Sequence, residues 1–179
     1  MRVVVTGSEG QLGSALKLTC PADIEPVWLG HKDLDITDEA AVARHPAFEG
    51  ADAIINTAGY TNVDAAETDR DAAWVLNASA PGLLARRAAE VGAHLVHLST
   101  DYVFGTVAYR RPLVPDTPAH PTSVYGESKR AGECVVLDSG ANSVIVRTAW
   151  VFSGAVLPTH RDFVSTMMAL EKQPDTIYV

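Results

Sequence analysis

The sequence predicts an α/β protein built on one doubly wound parallel sheet, with helices on both faces. Short runs of β-branched residues alternate with longer alanine-rich segments, which is the rhythm of βαβ units. The apolar runs are four to six residues long and end in small or polar residues, as in buried parallel strands. The first run leads directly into a glycine-rich segment and a helix. We therefore expect binding groups at the carboxyl ends of the strands.

Five strands and five helices are predicted. The strands cover residues 2–6, 24–29, 53–56, 94–99 and 143–147, and the helices cover residues 11–18, 38–44, 71–91, 123–137 and 163–170. Residues 104–121 carry four prolines without periodicity and are predicted to form a loop, as are residues 153–161. Residues 176–179 have the pattern of a further strand that is only beginning.

The composition indicates one domain without a nucleic-acid partner. The chain has 179 residues and a net charge of -8, with no Lys/Arg cluster to follow a phosphate backbone. Cys20 and Cys134 lie far apart and suggest neither a disulfide framework nor a thiolate metal site. No apolar stretch reaches membrane-spanning length, and no cleavable leader precedes the first strand. We expect a cytoplasmic protein without membrane contact, and the sequence leaves open whether it is a homodimer.

The glycine-rich segment has the chemistry of a pyrophosphate site. Gly7, Gly10 and Gly13 stand between a strand and a helix, so backbone amides and the helix dipole can hold a dinucleotide diphosphate. The alternative is a glycine-rich turn without a ligand, which the flanking strand and helix disfavour. The pattern is typical of the Rossmann fold. Its G-x-x-G-x-x-G spacing differs from the dehydrogenase G-x-G-x-x-G form and indicates the extended short-chain reductases.

The choice between NADPH and NADH depends on a position about twenty residues further on. NAD-specific proteins normally place a carboxylate there, whereas this chain has a glycine followed by His31 and Lys32. Two such cations would accommodate a 2'-phosphate, so NADPH is the predicted cofactor. NADH and an ordinary solvated loop are the alternatives, because Asp33 follows at once. Asp35 and Ile36 are placed to meet the adenine, although Asp35 is equally explained as a turn residue.

Tyr125 and Lys129 form the central chemical pair. They stand four residues apart on a predicted helix, so the ammonium can lie below the phenol oxygen. A cation about 4 Å away at an effective dielectric near 20 contributes about 4 kcal/mol, enough to lower the phenol pKa towards neutrality and permit proton donation. The preceding strand ends in Ser99 and Thr100, whose hydroxyls can bind a carbonyl oxygen. These two signals together predict reduction of a ketone.

Other candidates have structural explanations. His94 and His97 lie on a buried-looking strand, three residues apart and therefore on opposite faces, so we expect core histidines and predict no metal site. Asp64 and Glu67 can be a carboxylate pair, but acids in a first helical turn explain them equally well. The arginines at 110–111 can meet a nucleotide diphosphate, although a solvated pair is the simpler interpretation.

Six sequence blocks, in order along the chain, resemble one family. They are the glycine segment with Gln11, Leu12 and Gly13, then NTAGYTNVDAAE at 56–67, LSTDYVF at 98–104, YGESK at 125–129, Gly132 with Glu133, and RTAWV at 147–151. Together they resemble the dTDP-4-dehydrorhamnose reductases, a family of extended short-chain dehydrogenases/reductases. The resemblance implies NADPH-dependent reduction of the C4 ketone of dTDP-4-dehydro-6-deoxy-L-mannose to dTDP-L-rhamnose, a step of surface polysaccharide biosynthesis.

The resemblance also implies roles for individual residues. Tyr125 would donate the proton, Lys129 would bind the nicotinamide ribose, and Thr100 would tune the phenol and the carbonyl. Asp101 and Trp150 would line the deoxysugar site together with Thr100. The dinucleotide would contact the tyrosine and the lysine and also Gly7, Gly10, Gln11, Leu12, Gly13, Asp35, Ile36, Ala58, Gly59 and Tyr60.

The chain departs from the family in length. Members continue for roughly another hundred residues, which supply much of the lobe that grips the nucleotide sugar. We therefore expect residues 1–150 to form an NAD(P)-binding domain and residues 151–179 to begin a substrate-binding lobe that is largely absent. Gly59 in place of the usual alanine, and the direct junction of Phe104 with Gly105, are smaller departures.

Two rival functions stay open. One is a non-catalytic nucleotide-binding subunit, because the regulatory β-subunits of methionine adenosyltransferase resemble the same family. Retention of Thr100, Tyr125 and Lys129 argues against it. The other is a reductase or epimerase of a different nucleotide sugar.

Overall fold

The computed structural model describes residues 1–105, 112–157 and 162–170, which contain a five-stranded parallel sheet with flanking helices. The strands are β1 (Arg2–Thr6), β2 (Glu25–Leu29), β3 (Ala53–Asn56), β4 (His94–Thr100) and β5 (Ser143–Thr148). Their order across the sheet is β2-β1-β3-β4-β5, with every neighbouring pair parallel. The predicted fold class, a doubly wound Rossmann-type sheet, is confirmed.

Helices connect the strands. They are α1 (Gln11–Thr19), α2 (Glu39–Arg44), α3 (Val63–Ala66), α4 (Arg70–Trp74), α5 (Ala80–Val91), α6 (Val124–Asp138) and α7 (Phe163–Leu170). Short 3-10 turns lie at Pro46–Phe48, Asp101–Phe104 and Gly154–Val156. A π-helical turn, Val75–Ser79, joins α4 to α5, so the predicted helix over 71–91 contains one turn of wider pitch.

The main hydrophobic core lies between the sheet and the pair of helices α5 and α6. Val4 and Ile54 of two central strands are completely buried in one cluster with Leu84 of α5 and Val136 of α6. The two helices pack closely, since a Cβ built on Gly82 of α5 would lie 2.5 Å from a methyl carbon of α6. This packing fixes α6, which carries the predicted tyrosine and lysine, against the sheet.

The strand order creates a crevice at the carboxyl end of β1. β2 lies on one side of β1 and β3 lies on the other, so the connections from these strands diverge. Open α/β sheets bind ligands at such a switch point. The Thr57 hydroxyl, just after β3, donates to the Thr6 carbonyl oxygen at 2.7 Å and joins the two strand ends below the crevice.

One expectation about burial is wrong. His94 is exposed because it is the first residue of β4, so it is not a core histidine, whereas His97 is fully buried as predicted. Val144 and Val146 of the edge strand β5 are 51% and 38% exposed, so the described residues leave these two side chains largely uncovered.

The remaining expectations concern the loops. The proline-rich segment is irregular where it is described, apart from the 3-10 turn at its start. Arg110 and Arg111, and the strand predicted at 176–179, lie outside the described residues.

Among the helices that are described, none is long and apolar enough to cross a membrane. The described residues also contain no group of metal-ligating side chains.

Candidate active site

A cleft of about 760 Å³ opens at the carboxyl ends of the strands. Eleven of the twelve residues expected to contact a dinucleotide line it; the exception is Gly13, which is buried beneath the glycine turn. Those in the lining are Gly7, Gly10, Gln11, Leu12, Asp35, Ile36, Ala58, Gly59, Tyr60, Tyr125 and Lys129. The fold therefore brings residues from four separate parts of the chain to one surface.

Close packing of the backbone explains two glycines of the turn that opens α1. Gly7 has φ +70°, and a Cβ there would lie 2.5 Å from the Ala58 nitrogen. A Cβ on Gly13 would lie 2.6 Å from the Gly7 carbonyl oxygen, so only glycine allows α1 to start this close to the turn. Gly10 precedes α1 without a side-chain cap, which leaves the first-turn amides available to an anion. This cradle fits a dinucleotide pyrophosphate.

The segment after β2 shows how its acids are used. The Asp33 carboxylate accepts a hydrogen bond from the Gly30 amide at 2.8 Å and holds the turn, while His31 and Lys32 are exposed. Asp35 accepts from the Thr37 hydroxyl and amide at 2.7 and 2.9 Å, and these bonds lower its pKa. Asp35 therefore stabilises a turn, which was one of the two roles that the sequence allowed. It also borders the cleft.

Ile36 and Gln11 differ in their surroundings. Ile36 is 5% exposed and belongs to the main core, with only its edge on the cleft. The Gln11 amide donates to the Ser153 hydroxyl at 2.9 Å and to the Val151 carbonyl oxygen at 3.3 Å. Gln11 therefore links the glycine turn to the segment that follows β5.

Lys129 is buried at the floor of the cleft. It is 6% exposed, and its Nζ donates to the Leu98 carbonyl oxygen of β4 at 2.6 Å. Burial lowers the pKa of Lys129 to about 8, while the negative charge of Glu133 acts in the opposite direction. The lysine thus remains largely charged at neutral pH and ionises closer to that range than an exposed lysine.

The pKa of Tyr125 moves in the direction opposite to the one predicted. Burial raises it, and the neighbouring Asp101 and Tyr102 add to the shift, while Thr100 opposes it through a hydrogen bond. The prediction is wrong because the phenol is packed among these groups, with the Tyr102 ring edge-on at a centroid distance of 5.5 Å. The phenol therefore carries its proton throughout the neutral range, as a proton donor must.

Ser99 and Thr100 do not act as a pair. The Ser99 hydroxyl donates to the Glu133 carboxylate at 2.6 Å, so its proton is not available to a ligand although Ser99 borders both clefts. The Thr100 hydroxyl accepts from the Tyr102 amide and donates to the Asp101 carboxylate, both at 3.2 Å. Both side chains are 5% exposed and both border the smaller cleft, so they differ in their hydrogen-bond partners and not in their burial.

A second cleft of about 250 Å³ adjoins the first. Its lining includes the three predicted substrate residues Thr100, Asp101 and Trp150. Trp150 has φ +50°, a conformation unusual for a non-glycine residue, and its ring packs edge-on against Phe163 at 4.6 Å between centroids. The tryptophan is 69% exposed. Tyr125 lines both clefts and so lies where they meet.

Asn77 is a site residue that the sequence reasoning missed. It lies in the π-helical turn and is fully buried. Its side-chain Oδ1 accepts from the Tyr60 amide at 2.8 Å, and its Nδ2 donates to the Tyr60 carbonyl oxygen at 3.1 Å and the Ser128 hydroxyl at 3.0 Å. Asn77 thereby joins the loop after β3 to the turn of α6 that precedes Lys129. An asparagine inside an alanine-rich helix was the available signal.

Glu67 and His97 contact residues that surround the site. The Glu67 carboxylate accepts from the Val124 amide at 2.9 Å, so it caps the helix that carries Tyr125 and does not pair with Asp64. His97 Nδ1 lies 3.1 Å from the Asn56 amide nitrogen, while its Nε2 is buried with no hydrogen-bond partner among the described residues. Burial and the charge of Lys129 lower the pKa of His97 to about 3, so the ring is neutral.

These features define the class of the protein. The switch point at β1, the glycine turn that opens α1, and the tyrosine and lysine one turn apart on α6 define a Rossmann-type domain of the extended short-chain dehydrogenase/reductase class. Within this class the chain belongs to the family described as the RmlD substrate binding domain, whose sequence model matches residues 1–179.

Similar proteins carry related names. A dTDP-4-dehydrorhamnose reductase of Mycolicibacterium smegmatis is 43% identical over 170 residues, covering 94% of this chain and 50% of that protein. A probable dTDP-4,6-dihydroxy-2-methyloxan-3-one 4-ketoreductase of Streptomyces antibioticus is 43% identical over 181 residues, covering 100% of this chain and 60% of that protein. The chain thus spans about half the length of the curated relatives it matches.

Solved structures show the same fold. The dTDP-4-dehydrorhamnose reductase of Bacillus anthracis, a crystal structure in complex with NADP, superposes with a TM-score of 0.87 at 37% identity. The match covers 98% of this chain and 61% of that one. The resemblance found in the sequence blocks is therefore confirmed at the level of the family.

Proposed function

We propose that the protein reduces the C4 ketone of dTDP-4-dehydro-6-deoxy-L-mannose to dTDP-L-rhamnose with NADPH. The observation that carries this proposal is the position of Tyr125 on the wall common to the two clefts. A proton donor there reaches a cofactor on one side and a sugar ketone on the other. The relatives named dTDP-4-dehydrorhamnose reductase, which are longer proteins, support the same reaction.

The larger cleft is suited to NADPH. The turn of Gly7, Gly10 and Gly13 takes the pyrophosphate, because the first-turn amides of α1 have no side-chain cap. His31 and Lys32, exposed beyond the Asp33 turn, favour the 2'-phosphate of NADPH over the free hydroxyl of NADH. When bound, NADPH supplies the hydride for the ketone carbon. The Bacillus anthracis relative, which was solved with NADP, supports this assignment.

The residues of the chain supply the proton and the orientation. Tyr125, protonated at neutral pH, donates its proton to the ketone oxygen as that oxygen gains negative charge. Lys129 keeps donors for a ribose hydroxyl after its bond to β4. Thr100 holds the phenol and the carbonyl oxygen in place, and Asp101 and Trp150 bind the sugar in the smaller cleft.

The proposal extends to the organisation of the protein. Residues 1–150 form the NAD(P)-binding domain, and residues 151–179 belong to the substrate-binding lobe. Its location is the cytoplasm, where nucleotide sugars and NADPH are available. Light scattering of the purified protein with and without NADPH tests for a homodimer.

A ketoreductase acting on a different dTDP-sugar is the second candidate. The Streptomyces antibioticus relative, whose name states another dTDP-linked ketone, matches as well as the rhamnose enzymes do. The core site would be the same, and only the occupant of the smaller cleft would change.

The test follows NADPH absorbance while the purified protein is offered dTDP-, UDP- and GDP-linked 4-ketosugars. We expect NADPH oxidation with dTDP-4-dehydro-6-deoxy-L-mannose and formation of dTDP-L-rhamnose in equal amount. Turnover with another dTDP-ketosugar alone would favour the second candidate. NADPH binding without turnover of any ketone would leave only a binding protein and overturn the proposal.

A further inference from the structure

Glu133 is the hub of a buried polar cluster behind the candidate site. Its side chain is 0% exposed and accepts four hydrogen bonds. Ser99 of β4 donates at 2.6 Å, Arg130 of α6 at 2.8 Å, and Arg147 of β5 through Nε and a terminal nitrogen, both at 2.7 Å. One carboxylate thus joins α6 to two neighbouring strands.

The hub lies next to the place where Lys129 is bound. Glu133 follows Lys129 by one helical turn on α6, so the two side chains share a face. Lys129 is bonded to the carbonyl of Leu98, and Glu133 is bonded to the hydroxyl of Ser99. Any shift of Glu133 along β4 would therefore move the lysine relative to the cleft.

Glu133 supplies negative charge to a cluster that otherwise consists of cations and a neutral histidine. The ionisable neighbours of the Lys129 ammonium are Glu133 on its own helix and His97 on β4. The ionisable neighbours of the Glu133 carboxylate also include Arg130 and Arg147. His97 is neutral. The Arg130 and Arg147 side chains are 35% and 21% exposed and can be solvated, whereas the lysine is 6% exposed and has much less access to water.

We propose that Glu133 is a positioning residue of the reductase site, which fixes α6 against β4 and β5 and keeps the buried Lys129 ammonium charged. The inference rests on the proposed function, because it assigns to the carboxylate a task in the reaction. A purely structural ion pair would hold the helix equally well but would leave the lysine's ionisation unchanged. The two roles are therefore separable by experiment.

The direct measurement is an NMR titration of protein labelled with 13C at lysine Cε. The lysines of the sequence are Lys17, Lys32, Lys129 and Lys172, and the Lys129 signal is identified by its loss in K129M. Removing the opposite charge in E133Q is expected to lower the Lys129 pKa by about one unit. The matched control is E39Q, which removes an exposed carboxylate paired with Arg86 and should leave the titration unchanged.

Two further variants protect the test against misfolding, since E133Q leaves Arg147 without its partner. The Lys129 pKa of the double variant E133Q/R147M should lie below that of R147M, a comparison that isolates the carboxylate charge, whereas E133D keeps the charge and should titrate like the wild type. In the ketone assay of E133Q, the part of the pH profile of kcat that reflects Lys129 ionisation should shift by as much as the Lys129 pKa measured by NMR. The kcat of E133Q should fall roughly tenfold.

Equal Lys129 pKa values in folded E133Q and the wild type, or in folded E133Q/R147M and R147M, would overturn the inference. The titration needs no substrate, so it is decided independently of the reaction. If the wild type reduces none of the ketones while Lys129 responds to Glu133, the proposed function has failed and the coupling between the two residues has not.

Discussion

The Lys129 ammonium donates a hydrogen bond to the Leu98 carbonyl oxygen at 2.6 Å, and this contact fixes a charged side chain below the larger cleft. One of the three donors of the ammonium is thereby committed to β4. The lysine contributes to the cleft lining, so the other donors can meet a ligand there. This geometry leads to predictions on binding and on stability.

Replacing Lys129 by methionine should weaken NADPH binding. A charged hydrogen bond contributes about 1.5–3 kcal/mol, so we expect the Kd to rise roughly tenfold to a hundredfold. Titration of NADPH fluorescence measures this change. K17M is the matched control, because Lys17 lies on α1 over the ring of Trp28 and outside both clefts. Equal Kd values for K129M and K17M would contradict the assignment.

The same lysine should make stability depend on pH in the alkaline range. Burial lowers its pKa to about 8 in the fold, against 10.5 for an ordinary lysine, so the unfolded chain binds more protons between these values. The free-energy cost of burying the charged lysine is fully present below pH 8 and fades as the pH rises to 10.5. The K129M variant should therefore gain up to about 3 kcal/mol over the wild type at pH 7, and this part of the gain should disappear by pH 10.5. Urea unfolding at pH 7 and 10 tests it; a pH-independent difference would refute it.

His97 should contribute to acid unfolding. Its pKa is about 3 in the fold against 6.5 unfolded, so the unfolded chain binds the extra proton between these values. Stability from the neutral ring is complete above pH 6.5 and is lost as the pH falls to 3, by up to about 5 kcal/mol. H97Q keeps an acceptor for the Asn56 amide and cannot titrate. Unfolding free energies from pH 7 to 4 should fall less steeply for H97Q; parallel curves would exclude His97 as the cause.

Asn77 should couple the fold to the site. In N77A the Tyr60 amide and carbonyl lose their partner, and the buried groups left unsatisfied should cost about 2 kcal/mol. Because Tyr60 lines the larger cleft, NADPH affinity should fall as well. Thermal unfolding and NADPH titration measure the two effects. Loss of stability with normal affinity would restrict Asn77 to a structural role.

Two glycines with the same backbone conformation provide a matched pair. Gly7 and Gly50 have φ +70° and +67°, so alanine at either site costs about 1 kcal/mol of backbone strain. Only at Gly7 would the added Cβ collide, 2.5 Å from the Ala58 nitrogen, whereas nothing lies within 4 Å at Gly50. We expect G7A to abolish NADPH binding and G50A to leave it unchanged. Retention of binding in G7A would show that the turn is not the phosphate cradle.

The sequence predicts the features that depend on local pattern. The strands and the glycine turn follow from β-branched runs and from a motif in which each glycine has a steric reason. The pairing of Tyr125 with Lys129 on one helical face also follows from spacing alone. Each of these features is determined by residues that are close to one another in the sequence.

The features that the sequence does not predict depend on distant contacts. The Ser99 hydroxyl is occupied by Glu133, 34 residues further along the chain, so its commitment is invisible before α6 is packed on β4. The rise in the Tyr125 pKa likewise reflects burial beside Asp101 and Tyr102, which oppose the effect that a neighbouring lysine alone would have. Local spacing identifies such groups, and packing decides what they can do.

The most direct test of the account is the kcat of Y125F with NADPH and dTDP-4-dehydro-6-deoxy-L-mannose at neutral pH. The substitution removes only the phenol oxygen from the wall between the two clefts. Loss of the proton donor should lower kcat about a hundredfold or more, while the NADPH Kd and the thermal unfolding curve stay close to those of the wild type. Turnover by Y125F at the wild-type rate would contradict the central role given to Tyr125.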